Sequence, residues 1–269
     1  MAVAERAPVS VQEGAGAAGE IIRDIARGGL TGIVVGVVVA GFGGRVVMRI
    51  AALAVPTATG AFTENGNAIG TISFDGTIGL VVFGGLVFGL AAGVVWVAIS
   101  PWIPGTGLRR ALLTMPIAIG LAGFFLVDGG NSDFIVLRHD PVVVGLLLAL
   151  VALVGFAIAW GDGLLDRRLP PSGDGPSPAT LAYALLTAVG LVFLPLVMSI
   201  YFSEAGSTPV AIALLATGSV TVVWWALRLR GHLEPPRAVV VAGRVTLLAA
   251  VAIGFMVLVP ELAEALGAA

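Results

Sequence analysis

Seven long apolar runs dominate the chain, at 29–55, 77–100, 111–127, 141–160, 179–202, 208–227 and 238–260. A hydrocarbon layer about 30 Å thick takes a helix of about 17–25 residues. A chain in lipid must satisfy its backbone hydrogen bonds internally, which favours helix for isolated runs of this length. The sequence therefore predicts an all-α, polytopic bundle of seven transmembrane helices. Composition agrees. Of 269 residues, 58% are hydrophobic and 11% charged, against about a quarter charged in soluble domains. A disordered chain would combine low hydrophobicity with high charge, and is excluded.

The arginines give the bundle a direction. Arg6, Arg23 and Arg27 precede the first run. Arg109 and Arg110 follow the second, Arg167 and Arg168 the fourth, and Arg228, Arg230 and Arg237 the sixth. Of the remaining loops and the C-terminal tail, only one carries an arginine, Arg138. Basic loops stay cytoplasmic, so the N-terminus is expected inside and the C-terminus outside. This divides the chain into a cytoplasmic segment 1–28, a transmembrane domain 29–260 and an outer tail 261–269. In the segment 19–27, Ile21, Ile22 and Ile25 share a helical face, predicting a short amphipathic helix leading into the first span. A cleaved signal peptide fits poorly. Arg45 and Arg49 interrupt the first apolar run, and Glu5, Glu13, Glu20 and Asp24 populate the segment before it.

Trp96, Trp160 and Trp224 are spaced 64 residues apart, each near the inner end of an even-numbered run and each followed by arginines. Gly66-Asn67 and Gly130-Asn131 open comparable outer stretches, which end at Asp75 and Asp140. This spacing predicts a tandem helical hairpin with the seventh helix unpaired. The alternative is that interfacial tryptophan and inner arginine follow general membrane rules. Gly32 and Gly36 on the first run, and Gly85, Gly89 and Gly93 on the second, form stripes of small residues. Such stripes let helix backbones approach, so the first two spans are expected to pack tightly. The other use of the stripes is a seam with a second copy or a membrane-complex partner.

Arg45 and Arg49 share one helix face. With the inner end near residue 29, Arg45 lies about 24 Å along the helix, in the outer leaflet. A charge in the membrane faces a partner or a water-filled cavity. Candidate partners on the outer side are Glu64, Asp75, Asp128, Asp133 and Asp140. The expectation is either a structural ion pair with one or two of these acids, or an anion or lipid-headgroup site. In the same loops Asn65-Gly66 signals a turn. Ala68–Phe74 and Phe134–Leu137 together predict a small outer sheet. The stretch Asp128-Gly-Gly-Asn131-Ser-Asp133 has spaced oxygen ligands but fails the EF-hand pattern.

Much chemistry is excluded. There is no cysteine, hence no disulfide, thiolate ligand or cysteine nucleophile. All 14 basic side chains are arginine, so no lysine is present for a Schiff base. His139 and His232 fall on opposite sides and cannot jointly ligate a haem or metal. No histidine lies within a run, no carboxylate at a run's centre, and there is no phosphate-binding loop. A net charge of −2 offers no field for nucleic acid. No cofactor and no metal are expected. An enzyme is the least supported class, with an outer-face transferase around Arg138-His139-Asp140 as its remaining form.

Gly43-Gly44-Arg45-Val-Val-Met48-Arg49-Ile50, with Thr63-Glu64-Asn65-Gly66 and Gly76-Thr77, resembles multi-spanning membrane proteins of high-GC Gram-positive bacteria. The resemblance covers about a quarter of the chain. It implies a bacterial source and no particular activity. The functional expectation is a small transporter or channel-like protein of the bacterial cytoplasmic membrane, with Arg45 and Arg49 near an outer vestibule. The alternative is a non-catalytic scaffold or accessory subunit of a membrane complex. A polar cavity reaching Arg45 would favour transport. Arg45 sealed against an acid would favour a scaffold.

Overall fold

The computed structural model describes residues 9–62, 69–70, 74–172, 177–203 and 206–268, with side chains except at 9–15, 75 and 83. The chain is all-α, with 84% of it helical and no strand among the described residues. Seven helices are long and apolar enough to cross a membrane: α1 (Gly16–Ala54), α2 (Gly76–Trp102), α3 (Gly107–Leu126), α4 (Pro141–Arg168), α5 (Pro178–Ser203), α6 (Thr208–Leu229) and α7 (Arg237–Ala265).

The first helix sits at the centre and packs against α2, α4, α5 and α6. Among the described residues, helical structure runs unbroken from Val9 into α1. Residues 19–27 are therefore not a separate surface lead-in. Ile21 and Arg23 are buried, Ser172 Oγ donates to Glu20 at 2.7 Å, and Thr187 Oγ1 donates to the Ile22 carbonyl at 3.2 Å. Polar contacts with α4, α5 and the loop between them draw this segment into the bundle.

The glycine stripes meet each other. A Cβ at Gly32 would collide with the backbone of Gly89 and Gly93, and one at Gly36 with that of Gly85 and Gly89. These are backbone-to-backbone contacts within one chain, the closest approach two helices can make. Across the same contact, both helices loosen into π-type turns, at Gly36–Gly41 in α1 and Leu80–Val87 in α2. A second seam joins α3 to α7, where a Cβ at Gly254 would overlap the Gly120 carbonyl. Gly155 of α4 lies against Ala118 and Thr114 of α3 in the same manner.

Outward faces are apolar. Leu181, Leu191 and Val192 of α5 are exposed, and only 11% of that helix's apolar window is buried. A helix with apolar side chains on its open face needs lipid around it.

At the end away from Arg23, Arg27, Arg110 and Arg228, hydrogen bonds tie α7 to the segment between α3 and α4. Gly129 N donates to Glu261 Oε2 at 2.8 Å. His139 Nδ1 lies 3.0 Å from the Ala265 carbonyl. The expected strand at Phe134–Leu137 is instead part of a single helical turn, Ser132–Val136. The Asn131 side chain caps it by accepting from Asp133 N at 2.8 Å, and Phe134 anchors it in the core. A cap and one buried aromatic outweigh a short apolar run. The other half of the expected sheet, Ala68–Phe74, and the turn Asn65-Gly66 lie largely outside the described residues.

Candidate functional site

Among the described residues, Arg45 and Arg49 are paired with no acid. Arg45 is half-buried, and its Nε has no hydrogen-bond partner. Arg49 is exposed and donates from Nη1 to the Gly70 carbonyl at 2.9 Å. Among the described residues, neither forms an ion pair. The expected pairing with Asp128, Asp133 or Asp140 is thus corrected. Glu64 and the side chain of Asp75 lie outside the described residues. The physical reason is local competition. Asp128 Oδ1 accepts from Gly130 N at 3.0 Å, and Asp140 Oδ1 accepts from Val142 N at 2.8 Å to cap α4. Short acidic side chains in turns bond readily to backbone two residues on, and these two do so here.

The ion pairs are at the other end. Asp24 and Arg27 on α1, and Asp162 and Asp166 on α4, are spaced three or four apart, so each pair occupies one helix face. The two faces meet. Arg27 Nε donates to Asp162 Oδ1 at 2.8 Å. Its Nη1 bonds to Asp166 and lies 3.2 Å from Asp24 Oδ1. Arg23 donates from Nη1 to Asp166 Oδ1 at 2.9 Å, from Nη2 to the Asp166 carbonyl at 2.7 Å, and from Nε to the Pro170 carbonyl at 3.2 Å. Arg228 on α6 donates to Asp24 Oδ2 at 3.0 Å. Arg110 on α3 reaches Asp162 Oδ2 at 3.7 Å. All seven ion pairs found among the described residues belong to this network.

Asp162 is the hub. Its side chain is 4% exposed, and it is shared by two arginines from different helices. An ionised carboxylate so buried is tolerable only because it is paired.

Beside the network lies a cavity of about 190 Å³, lined by Asp24, Arg27, Trp96, Arg110, Asp162 and Arg228, with Ser100, Trp224 and Trp225. Its wall therefore draws charged groups from α1, α3, α4 and α6. The Arg110 guanidinium stacks on the Trp96 ring, 4.8 Å from its centroid, and donates from Nη2 to the Ser100 carbonyl at 2.6 Å. Trp96 Nε1 and Arg110 Nε are buried without a hydrogen-bond partner. Among the described residues, no group of three histidines or carboxylates is placed to hold a metal.

Two of the three regularly spaced tryptophans, Trp96 and Trp224, line this cavity. Trp160 does not. It is 43% exposed and stacks on Phe156. The sequence reading missed Asp162 and Asp166 because they follow an apolar run ending at residue 160 and count as loop. Their spacing was the available signal. Asp162 and Asp166 form an i, i+4 acidic face, and Arg23 and Arg27 form an i, i+4 basic one. No protein-family model, curated protein or solved structure matches the chain.

Proposed function

We propose that this chain is a small transporter or channel-like protein of a bacterial cytoplasmic membrane, that its arginine-rich end faces the cytoplasm, and that the charged cavity is its solute site. The observation that carries the reading is the cavity itself: charged side chains from four spanning helices converge on space rather than packing solid. Intramembrane charges facing a cavity mark solute paths more often than surface charges do. The orientation rests on the positive-inside rule. The bacterial source rests on the resemblance around Arg45 and Arg49.

The absence of cysteine makes a direct test available. A single Ser100→Cys thiol in the cavity wall is challenged with a charged, impermeant thiol reagent on one side of sealed proteoliposomes, with His139→Cys marking the opposite side. Fast modification from the arginine-rich side and slower modification from the other side is the expected result. Modification from the arginine-rich side alone would describe a blind chamber and overturn passage. No modification from either side would remove the cavity as a solute site.

The second reading, a scaffold or accessory subunit, draws on the same network. The ion pairs fasten α1 to α4 and α6, which a purely structural bundle also uses.

A further inference from the structure

We infer that five exposed arginines at the arginine-rich end form an arc that binds anionic phospholipid headgroups of the surrounding leaflet. The inference stands whether or not the cavity carries a solute.

The arginines of this end fall into two sets. Arg23, Arg27, Arg110 and Arg228 share the network with carboxylates on Glu20, Asp24, Asp162 and Asp166. Four cations meet four anions, so the network is balanced. Arg109, Arg167, Arg168, Arg230 and Arg237 are exposed. None of these five forms an ion pair among the described residues. Asp166, beside Arg167, is already committed to Arg23 and Arg27. The loop between Arg230 and Arg237 carries one exposed acid, Glu234. The network has taken up the other described acids of this end and left the rim basic.

The five lie on neighbouring helices. Arg167 and Arg168 are in the last turn of α4, and Arg109 is in the first turn of α3. Arg237 opens α7 and Arg230 closes α6. Helix α4 packs on α3, α3 on α7, and α7 on α6. The 3.7 Å approach of Arg110 to Asp162 confirms that the start of α3 meets the end of α4. The exposed charges therefore follow one stretch of the bundle's edge.

Trp160 sets their depth. It is the one regularly spaced tryptophan that faces outward, 43% exposed and stacked on Phe156. An exposed indole on a spanning helix sits at the boundary between acyl chains and headgroups. Arg167 follows Trp160 by seven residues, two helical turns, so it shares that face about 10 Å farther out. A headgroup layer is about 5–8 Å thick, and an arginine side chain reaches back across that difference to the phosphates. Apolar neighbours favour lipid over a soluble polyanion. Leu108, beside Arg109, is 55% exposed, and Leu233, between Arg230 and Arg237, is 95% exposed. Basic and apolar side chains together suit the bilayer interface. A guanidinium forks onto phosphate oxygens, and a net negative headgroup adds the charge that phosphatidylcholine cancels internally.

The test titrates the full chain in detergent with phosphatidylglycerol or phosphatidylcholine and counts bound lipid by native mass spectrometry. Phosphatidylglycerol should bind about tenfold more tightly or better, by a margin that shrinks as salt rises. Replacing all five arginines by Gln should remove the preference, and replacing them by Lys should keep most of it. Arg49→Gln, exposed at the opposite end, should leave it unchanged. If the five-Gln variant does not fold, two smaller sets decide: Arg109, Arg167 and Arg168 to Gln, and Arg230 and Arg237 to Gln. Each should weaken the preference about threefold or more. Equal binding of the two lipids would overturn the inference, and so would a preference that survives the Gln variants or disappears with Arg49→Gln. Displacement of the lipid by millimolar inorganic phosphate would identify a free anion as the ligand. Tighter binding of an RNA oligomer than of phosphatidylglycerol would identify a nucleic-acid surface. Either result would overturn the lipid assignment.

Discussion

The two ends of this molecule hold similar ingredients and use them differently. The arginine-rich end brings Arg23, Arg27, Arg110 and Arg228 together with Asp24, Asp162 and Asp166 in one network around the buried Asp162. The opposite end has Arg45, Arg49, Asp128 and Asp140 and no ion pair among its described residues. There, carboxylates cap backbone amides and Arg49 donates to a carbonyl. The difference lies in where the acids sit. Asp162 and Asp166 are on a long helix, with their backbone N–H groups already bonded, so their oxygens are free for side chains across the bundle. Asp128 and Asp140 flank turns, where nearby amides claim them first. Charge inventory alone does not locate a polar centre; the local backbone decides which charges are available.

The comparison breaks or sharpens on four substitutions. The largest effect is expected for Asp162→Ala, which takes the buried acid from Arg27, leaving it Asp24 and Asp166, and takes from Arg110 its nearest acid. Removing one partner of a buried pair costs about 3–5 kcal/mol. Equilibrium unfolding in detergent should show that loss, and a change below about 1 kcal/mol would sink the hub assignment. Next is Gly36→Ala on the α1–α2 seam. The clash is with backbone, which cannot rotate away, and overpacking costs about 1–3 kcal/mol. A neutral result would show that the π-type turns absorb the methyl.

Asp24→Asn is third. Its pair with Arg228 is partly exposed, at 32% and 24%, so a loss of about 0.5–1 kcal/mol that shrinks in high salt is expected. Salt-independence would mean this pair is sealed like that of Asp162. Smallest is Arg45→Gln, expected within about 0.5 kcal/mol, because no acid among the described residues loses a partner. Combined with Asp128→Asn it should be additive, as for uncoupled sites. A coupling above about 0.5 kcal/mol would restore the ion pair that the structure does not show and erase the contrast between the two ends.

Seven runs of apolar residues were enough to determine seven helices, since a run of about 20 residues in lipid satisfies its own backbone polar groups as a helix. Their ends were less legible. The first helix extends well before residue 29, because Arg23 and Arg27 carry it into the bundle on ion pairs with α4. That contact spans more than 130 positions in the chain. The four-residue glycine spacing was visible in α1 and α2, whereas the equally close approach of Gly120 and Gly254 had no stripe to announce it. Arg45 and Arg49 stood out in sequence because a charge inside an apolar run is conspicuous. Asp162 and Asp166 did not, because they follow such a run. Sequence thus determined what must be helical and apolar, a matter of local composition against the bilayer. Tertiary structure alone decided which charges meet, because a pair forms only where two helix faces are brought within about 4 Å and both side chains are left unclaimed by their own backbone.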